Sequence, residues 1–233
     1  MVLGFNLCYD GSGDFMLDAA LDILKKLNSL GYESYIIGGY PRNLLLKKSV
    51  NDIDICTSAT PDIIKEHYQV IQDYSRFGAV KIEYQSYIFE ITTFRIELEY
   101  QNRYPKIEFT DCFLEDLKRR DFTINTICID QNDQIVDLLN ARLDLDHRMI
   151  RCVGDIDKKL LEDPIRILRA IRFSTELGFT IEPVLLSKMI EHKDSLKTLN
   201  YHSVEKELSK MNSEGLNLLN KLEMEKLLCK KKY

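Results

Sequence analysis

Residues 51–61 read Asn-Asp-Ile-Asp-Ile-Cys-Thr-Ser-Ala-Thr-Pro, and the alternation in Asp52-Ile53-Asp54-Ile55 decides how the surrounding chain folds. Successive side chains on a strand point to opposite faces, so both carboxylates share one face and both isoleucines the other. Downstream, Thr60-Pro61-Asp62 has the polar cap and first-turn proline of a helix start. Upstream, Tyr35-Ile36-Ile37 reads as a short buried strand running into Gly38-Gly39. Arg42 to Lys47 then has helical character, with Pro41 at a permitted first-turn position. The order is strand, glycine turn, helix and acidic strand.

Farther out, Leu17, Leu21, Leu24 and Leu27 recur at helical spacing within residues 15–30, and Gly31 stands where a C′ glycine ends a helix. Residues 79–84 and 87–95 are apolar, β-branched segments joined by Gln85-Ser86, which predicts an antiparallel hairpin. Ile88, Glu90, Thr92 and Phe94 are expected on one face of its second strand. Strand-like pieces at 126–130 and 134–138 are split by Gln131-Asn132-Asp133, a turn-type sequence. From about residue 157 the pattern changes: Leu160, Ile165, Leu168, Ile171 and Leu177 have helical spacing, and no strand is expected to follow. The fold class is therefore α+β, with a mixed head over 1–150 and a helical extension over 151–233. No internal repeat is evident.

Composition narrows the functional classes. A hydrophobic fraction of 45% with 30% charged residues, and no low-complexity tract, describes a globular chain able to bury a core. No apolar run approaches the ~20 residues that span a bilayer. The start, Met1-Val2-Leu3-Gly4-Phe5 followed by Asp10 and Asp14, does not fit a secretory or mitochondrial leader, so a cytoplasmic location is expected. Cysteines 8, 56, 112, 128, 152 and 229 lack zinc-site spacing and are expected as reduced thiols. A net charge of −5 argues against a protein that coats nucleic acid over its whole surface, but allows a local basic groove. The basic clusters are Lys118-Arg119-Arg120, the arginines 166, 169 and 172, and Lys230-Lys231-Lys232, the last read most simply as a solvated run.

Phosphoryl transfer to a hydroxyl needs attacking and leaving oxygens in line, and two metal ions ~3.5–4 Å apart stabilise both. Mg²⁺ takes hard oxygen ligands, commonly one or two carboxylates plus phosphates and water. Asp52 and Asp54 at i and i+2 on one strand meet that requirement, although many such pairs are merely surface carboxylates. Glu90 lies between Phe89 and Ile91, where an ionised side chain is expensive unless paired or metal-bound, and it is the natural third ligand. Gly38-Gly39 sits where backbone N–H groups at a helix start can receive a triphosphate, and Arg42 can add a charge-assisted bond. Glycine turn, arginine and acidic pair fall within a span of 17 residues.

The order of motifs resembles class II tRNA nucleotidyltransferases, the CCA-adding enzymes, and their bacterial poly(A) polymerase relatives. The resemblance runs through GGYPRNLLL and NDIDICTSATP (38–61), FEITTFR (89–95), EDLKRRDFTINTI (115–127) and LEDPIRILRAIRFSTELGFTIEP (161–183). It implies a polymerase-β-like nucleotidyltransferase head with a mixed or antiparallel sheet, followed by an all-helical neck that recognises the nucleobase. It implies addition of CMP and AMP from CTP and ATP to a tRNA 3′ end with two Mg²⁺ ions. Gly38, Gly39 and Arg42 would meet the triphosphate, and Asp52, Asp54 and Glu90 would form the catalytic metal-binding set. Arg120, Asp121 and Asn125 would hold the incoming nucleotide and its ribose, although Asp121 could instead simply cap the helix expected near Thr123. Glu162, Asp163 and Arg166 resemble the family's amino-acid template for the base. Asp163 and Arg166 at i, i+3 are expected side by side on one helix face, where they complement the edge of C or A. Arg169 and Arg172 would continue that face toward phosphate. The plainer reading of this stretch is a salt-bridged amphipathic helix.

The chain departs from the family pattern in places. Asn43 stands where the family usually has an aspartate, and Phe77 where it usually has a histidine. Segment 96–109 keeps nearly the usual length of the flexible loop associated with A addition. Helical body and tail domains that hold tRNA are expected to be absent. The chain is thus a fragment, a short enzyme whose RNA is held by a separate chain, or an enzyme with a smaller acceptor. Tyr201, Val204, Leu208 and the leucines at 216, 218, 219, 222, 227 and 228 leave an apolar face suited to a homo-oligomer or a partner chain. Poly(A)-type, CC-only or A-only addition, and a non-catalytic nucleotide- or RNA-binding remnant, are the competing functional readings.

Overall fold

The computed structural model describes residues 15–50, 52–101 and 104–228. The N-terminal stretch assessed for a leader, Cys8, Cys229 and the lysines 230–232 lie outside the described residues. The chain divides into two compact units. The first comprises the chain through Glu99 with Lys106–Arg120 and Ile124–Arg142; the second comprises Tyr100–Pro105, Asp121–Thr123 and the chain from Leu143 on.

In the first unit, α1 (Phe15–Ser29) buries Leu17, Ala20, Leu21, Leu24 and Leu27, the face its spacing predicts. Gly31 ends it with φ 91°, letting the Tyr32 N–H donate to the Leu27 carbonyl at 3.0 Å. Then follow β1 (Ser34–Ile37), α2 (Gly39–Leu45), β2 (Asp54–Thr57), α3 (Pro61–His67), β3 (Val70–Tyr74), β4 (Ala79–Tyr84) and β5 (Tyr87–Thr93). β6 (Arg95–Gln101) and β7 (Tyr104–Phe109) belong to this unit except for Tyr100–Pro105; after α4 (Phe113–Lys118) come β8 (Cys128–Ile129), β9 (Ile135–Val136) and α5 (Ala141–Asp146), of which only Ala141 and Arg142 belong to the first unit.

Seven strands form one mixed sheet in the order β3-β4-β5-β2-β1-β8-β9, and β6 and β7 pair separately. Only β2 and β5 run parallel in the larger sheet; its other neighbours are antiparallel. Residues 52–55 behave as the alternation requires, with Ile53 and Ile55 in the core and Asp52 and Asp54 at the surface; Cys56 beyond them is buried as well. Beneath the sheet, Ile37, Cys56, Phe94, Phe113, Leu117, Cys128 and Val136 form one apolar cluster, and Tyr35 stacks on Phe113 with ring centroids 4.2 Å apart. This packing makes the central strands a rigid base for whatever their ends carry.

The β4–β5 hairpin forms as predicted, with both turn residues, Gln85 and Ser86, at positive φ (49° and 69°). Phe94 differs from expectation. The strand ends at Thr93, the Phe94 N–H bonds the Thr57 carbonyl at 2.7 Å, and the ring enters the core instead of sharing a face with Ile88 and Glu90.

The second unit contains β10 (Met149–Ile150), α6 (Ile156–Glu162), α7 (Ile165–Leu177), β11 (Thr180–Ile181), α8 (Pro183–Glu191), α9 (Tyr201–Leu208) and α10 (Ser213–Lys221). α7 is its axis: Ile167, Leu168, Ala170 and Ile171 are fully buried, and α6, α9 and α10 pack on it. Asn200 and Asn212 cap α9 and α10 by accepting from the Ser203 and Gly215 N–H groups. Two corrections apply here. β11, which pairs in parallel with β10 over two residues, lies beyond residue 157 where no strand was expected, because so short a strand has no periodicity to display. The stretch 161–172 is also two helices rather than one. Pro164 supplies no amide hydrogen and disfavours helical geometry at the residue before it, so α6 stops and Asp163 adopts φ −143°, ψ 95°.

Candidate functional site

Asp54 opens β2, with Ile37 as its register partner on β1 and Glu90 as its partner on β5. A strand of the DxD kind therefore brings a carboxylate beside another from a distant segment, at the point where β1 runs into the glycine corner. Gly38 has φ 86° and ψ −127°, a conformation that strains any residue bearing a Cβ. A Cβ built on it would stand 3.3 Å from Asp54 Oδ2, so the glycine also clears room for the carboxylate.

Asp54 is solvent-accessible, yet protein crowds it closely enough to desolvate its carboxylate. That desolvation, together with the charges of Glu90 and Asp52, pushes its pKa up to about 6 against the opposing pull of Arg120 and Lys81. Three acidic groups repelling one another at one edge form a donor set suited to a hard divalent cation. Glu90 is meanwhile 3.6 Å from Lys81 Nζ. Among the described residues, the one trio of potential ligand atoms lying within 4.8 Å of one another is Asp157, Glu191 and His192, in the second unit. Asp52, Asp54 and Glu90 thus share an edge but do not close to that spacing. Lys188 Nζ already bonds Asp157 and Glu191, at 2.9 and 3.0 Å, so the tighter trio has an internal cation of its own.

Arg42 is 3% exposed; its Nε donates to Asn43 Oδ1 at 2.9 Å and its Nη1 to Asn125 Oδ1 at 2.5 Å. Asn125 is thereby brought to the glycine corner from 83 residues away. Arg120 is largely buried and pairs with Asp116 at 2.9 Å. Burial opposes its charge, but Asp116 with Cys56 and Cys128 more than compensates and raises its pKa. Asp116, 0% exposed, also accepts from Arg119 Nε at 2.7 Å and from the Arg95 backbone N–H at 3.2 Å. Sequence reasoning missed Asp116, whose only signal is a helical i, i+3 and i+4 spacing to two arginines.

In the second unit, Asp121 is engaged through both of its carboxylate oxygens. Its Oδ1 accepts from the Phe122 N–H, and its Oδ2 accepts from Arg169 Nε and Nη2 at 2.7 and 2.6 Å. Arg172 differs from the expected phosphate-facing residue. It is 8% exposed, bonded to Glu207 and Glu176 at 2.9 Å each, and lies over the Phe173 ring, so it acts as a buried cross-link between α7 and α9. Arg166, in the first turn of α7, donates to the Lys159 carbonyl at 2.7 Å, and its Nη1 is 3.9 Å from Glu162. Burial works against its charge, but Tyr100, Asp163 and Asp121 outweigh it and raise its pKa. Asp163 accepts from the Ile165 N–H at 3.2 Å, at the bend rather than on the α7 face where i, i+3 spacing put it.

Cys56, Cys112, Cys128 and Cys152 are free thiols, and among the described residues no helix is long and apolar enough to cross a membrane. The poly A polymerase head domain profile matches residues 34–151. A CCA-adding enzyme of Lactobacillus helveticus (strain DPC 4571) is 40% identical over 195 residues, covering 82% of this chain and 49% of the relative. One from Oceanobacillus iheyensis (strain DSM 14371) is 40% identical over the same length and the same shares. The crystal structure of the Bacillus stearothermophilus CCA-adding enzyme in complex with CTP superposes with a TM-score of 0.84 at 32% identity, over 91% of this chain and 53% of that one. The chain spans about half the length of the curated relatives it matches. On its head-domain match and on two-fifths identity across four-fifths of its length, the chain belongs to the class II CCA-adding family.

Proposed function

We propose that this protein is a template-independent nucleotidyltransferase that adds CMP and AMP, from CTP and ATP, to the 3′ end of tRNA. The observation that carries this reading is the pairing of Asp54 with Glu90 across β2 and β5, directly against the Gly38 corner. Asp52, Asp54 and Glu90 would hold two Mg²⁺ ions, which offset charge on the attacking and leaving oxygens when bound. The chain's own contribution is positional. Gly38 and Gly39 leave backbone N–H groups approachable by a triphosphate, and Arg42 adds donors beside them. Arg120 supports the carboxylate edge through its charge, and Asn125 fixes Arg42.

Within the helical part of the division drawn at 150, Asp163 at the bend and Arg166 in the first turn of α7 are the side chains proposed to read the base edge. Glu162 orients Arg166, and the Asp121–Arg169 pair anchors α7. The reaction is assigned to the cytoplasm, where free thiols stay reduced.

The deciding experiment offers the purified chain CTP alone, ATP alone and both together, on tRNA lacking its terminal CCA, and sequences the product. C addition followed by A is expected. Incorporation of A without any C would replace this reading with poly(A)-type addition, and no incorporation with retained nucleotide binding would leave a binding module.

A further inference from the structure

The Arg42 guanidinium is gripped from two directions. Nε donates to Asn43, its neighbour in α2, while Nη1 donates to Asn125, which ends a short turn of 3₁₀ helix over Thr123–Asn125. Nη2 lies on a third side, where a Cβ on Gly39 would stand 3.7 Å away. All four residues belong to the same compact unit. A long arginine side chain has substantial rotamer entropy to lose, so one already held in place binds an anion at less entropic expense. An amide oxygen accepts an N–H as a carboxylate does, but brings no negative charge of its own.

We infer that Asn43 and Asn125 are positioning residues that aim the Arg42 guanidinium at the glycine corner for a polyphosphate. The inference rests on the reading of Arg42 as a triphosphate contact. It gives Asn125 a task other than contact with the sugar, and makes the Asn43 departure a working substitute for the family's usual aspartate.

The test measures binding of inorganic tripolyphosphate to the full chain by calorimetry at fixed ionic strength, with CTP kinetics alongside. Arg42→Ala, Asn43→Leu, Asn125→Leu and the double variant Arg42→Ala/Asn43→Leu are compared, with thermal unfolding confirming the fold. Losing one hydrogen bond to a charged group should raise the Kd for tripolyphosphate about tenfold in Asn43→Leu. KM for CTP should rise more than kcat falls, and Asn43→Leu should add nothing once Arg42 is alanine.

If Asn43→Leu weakens binding equally with and without Arg42, the positioning role is overturned. If Asn43→Leu binds as wild type while Arg42→Ala does not, the positioning role fails but the triphosphate reading stands. If Arg42→Ala itself binds as wild type, both fall. Should Asn125→Leu unfold, the half-buried Asn43 carries the test alone.

Discussion

Glu90 stands beside Asp54 as its register partner on the adjacent parallel strand, and its charge is the second-largest influence raising the Asp54 pKa, after desolvation. Glu90→Gln keeps the shape and removes that charge. The Asp54 pKa should then fall below its value of about 6 in metal-free buffer, as measured by carboxyl-carbon NMR titration. An unchanged titration would mean that the two carboxylates do not interact. In the incorporation assay, Asp54→Asn or Glu90→Gln should each lower the rate by roughly three orders of magnitude or more if the proposed metal-ion chemistry operates, with part of the nucleotide binding retained.

Stability should carry the opposite signature. Because the folded-state pKa of Asp54 lies above its ordinary 3.8, the folded protein holds a proton that the unfolded chain releases between those values. The stability contributed by this group is full below about 4 and lost as pH rises through about 6. Asp54→Asn removes that dependence. In EDTA it should melt higher than the wild type above pH 6, and scanning calorimetry from pH 4 to 8 should show the two curves converging at the acid end. Parallel curves across that range would contradict the assigned shift.

Gly38→Ala should combine backbone strain with crowding of a carboxylate. Holding an L-residue at φ 86°, ψ −127° costs roughly 1–3 kcal/mol, and the added methyl would sit 3.3 Å from Asp54 Oδ2. Denaturant melts should record the loss, and Mg²⁺ titration followed by the Asp54 NMR signal should show weakened binding. A variant that melts and titrates like the wild type would show that the corner tolerates a Cβ.

Arg172 and Glu207 provide a test of structure against chemistry. Leaving a buried charge wholly unpaired costs about 3–5 kcal/mol, whereas replacing both partners with apolar residues can be nearly neutral. Glu207 keeps Arg169 at 3.7 Å, so Arg172→Met should lower the unfolding midpoint by less than that full penalty, and Arg172→Met/Glu207→Leu should recover part of the loss. If the double variant is stable yet fails to bind CTP, Arg172 has a ligand-binding role in addition.

The parts of this fold legible in the sequence are those where burial imposes a period. The leucines of α1, the alternation around Asp54 and the Gln85-Ser86 hairpin all follow from which side chains must leave water. β3 escapes because an edge strand with four of its five residues exposed has little pattern to read. Partnerships across long separations escape as well. Nothing near Arg42 announces Asn125, and nothing near Arg172 announces Glu207. The resemblance implies that Arg169 and Arg172 face phosphate, but their spacing does not distinguish an open face from one covered by α9.

Pro164 makes the display of Asp163 a matter of covalent geometry rather than of helix phase. On a continuous helix, a carboxylate's aim would rotate with every insertion or change of pitch upstream. At a proline-locked elbow its direction is tied to the first turn of α7 by the Asp163 carbonyl, which accepts from the Arg166 N–H at 3.1 Å. The two side chains are thus yoked through the main chain. Exchanging the group at 163 would change what is presented there without changing where it is presented, so the elbow works as an interchangeable mount.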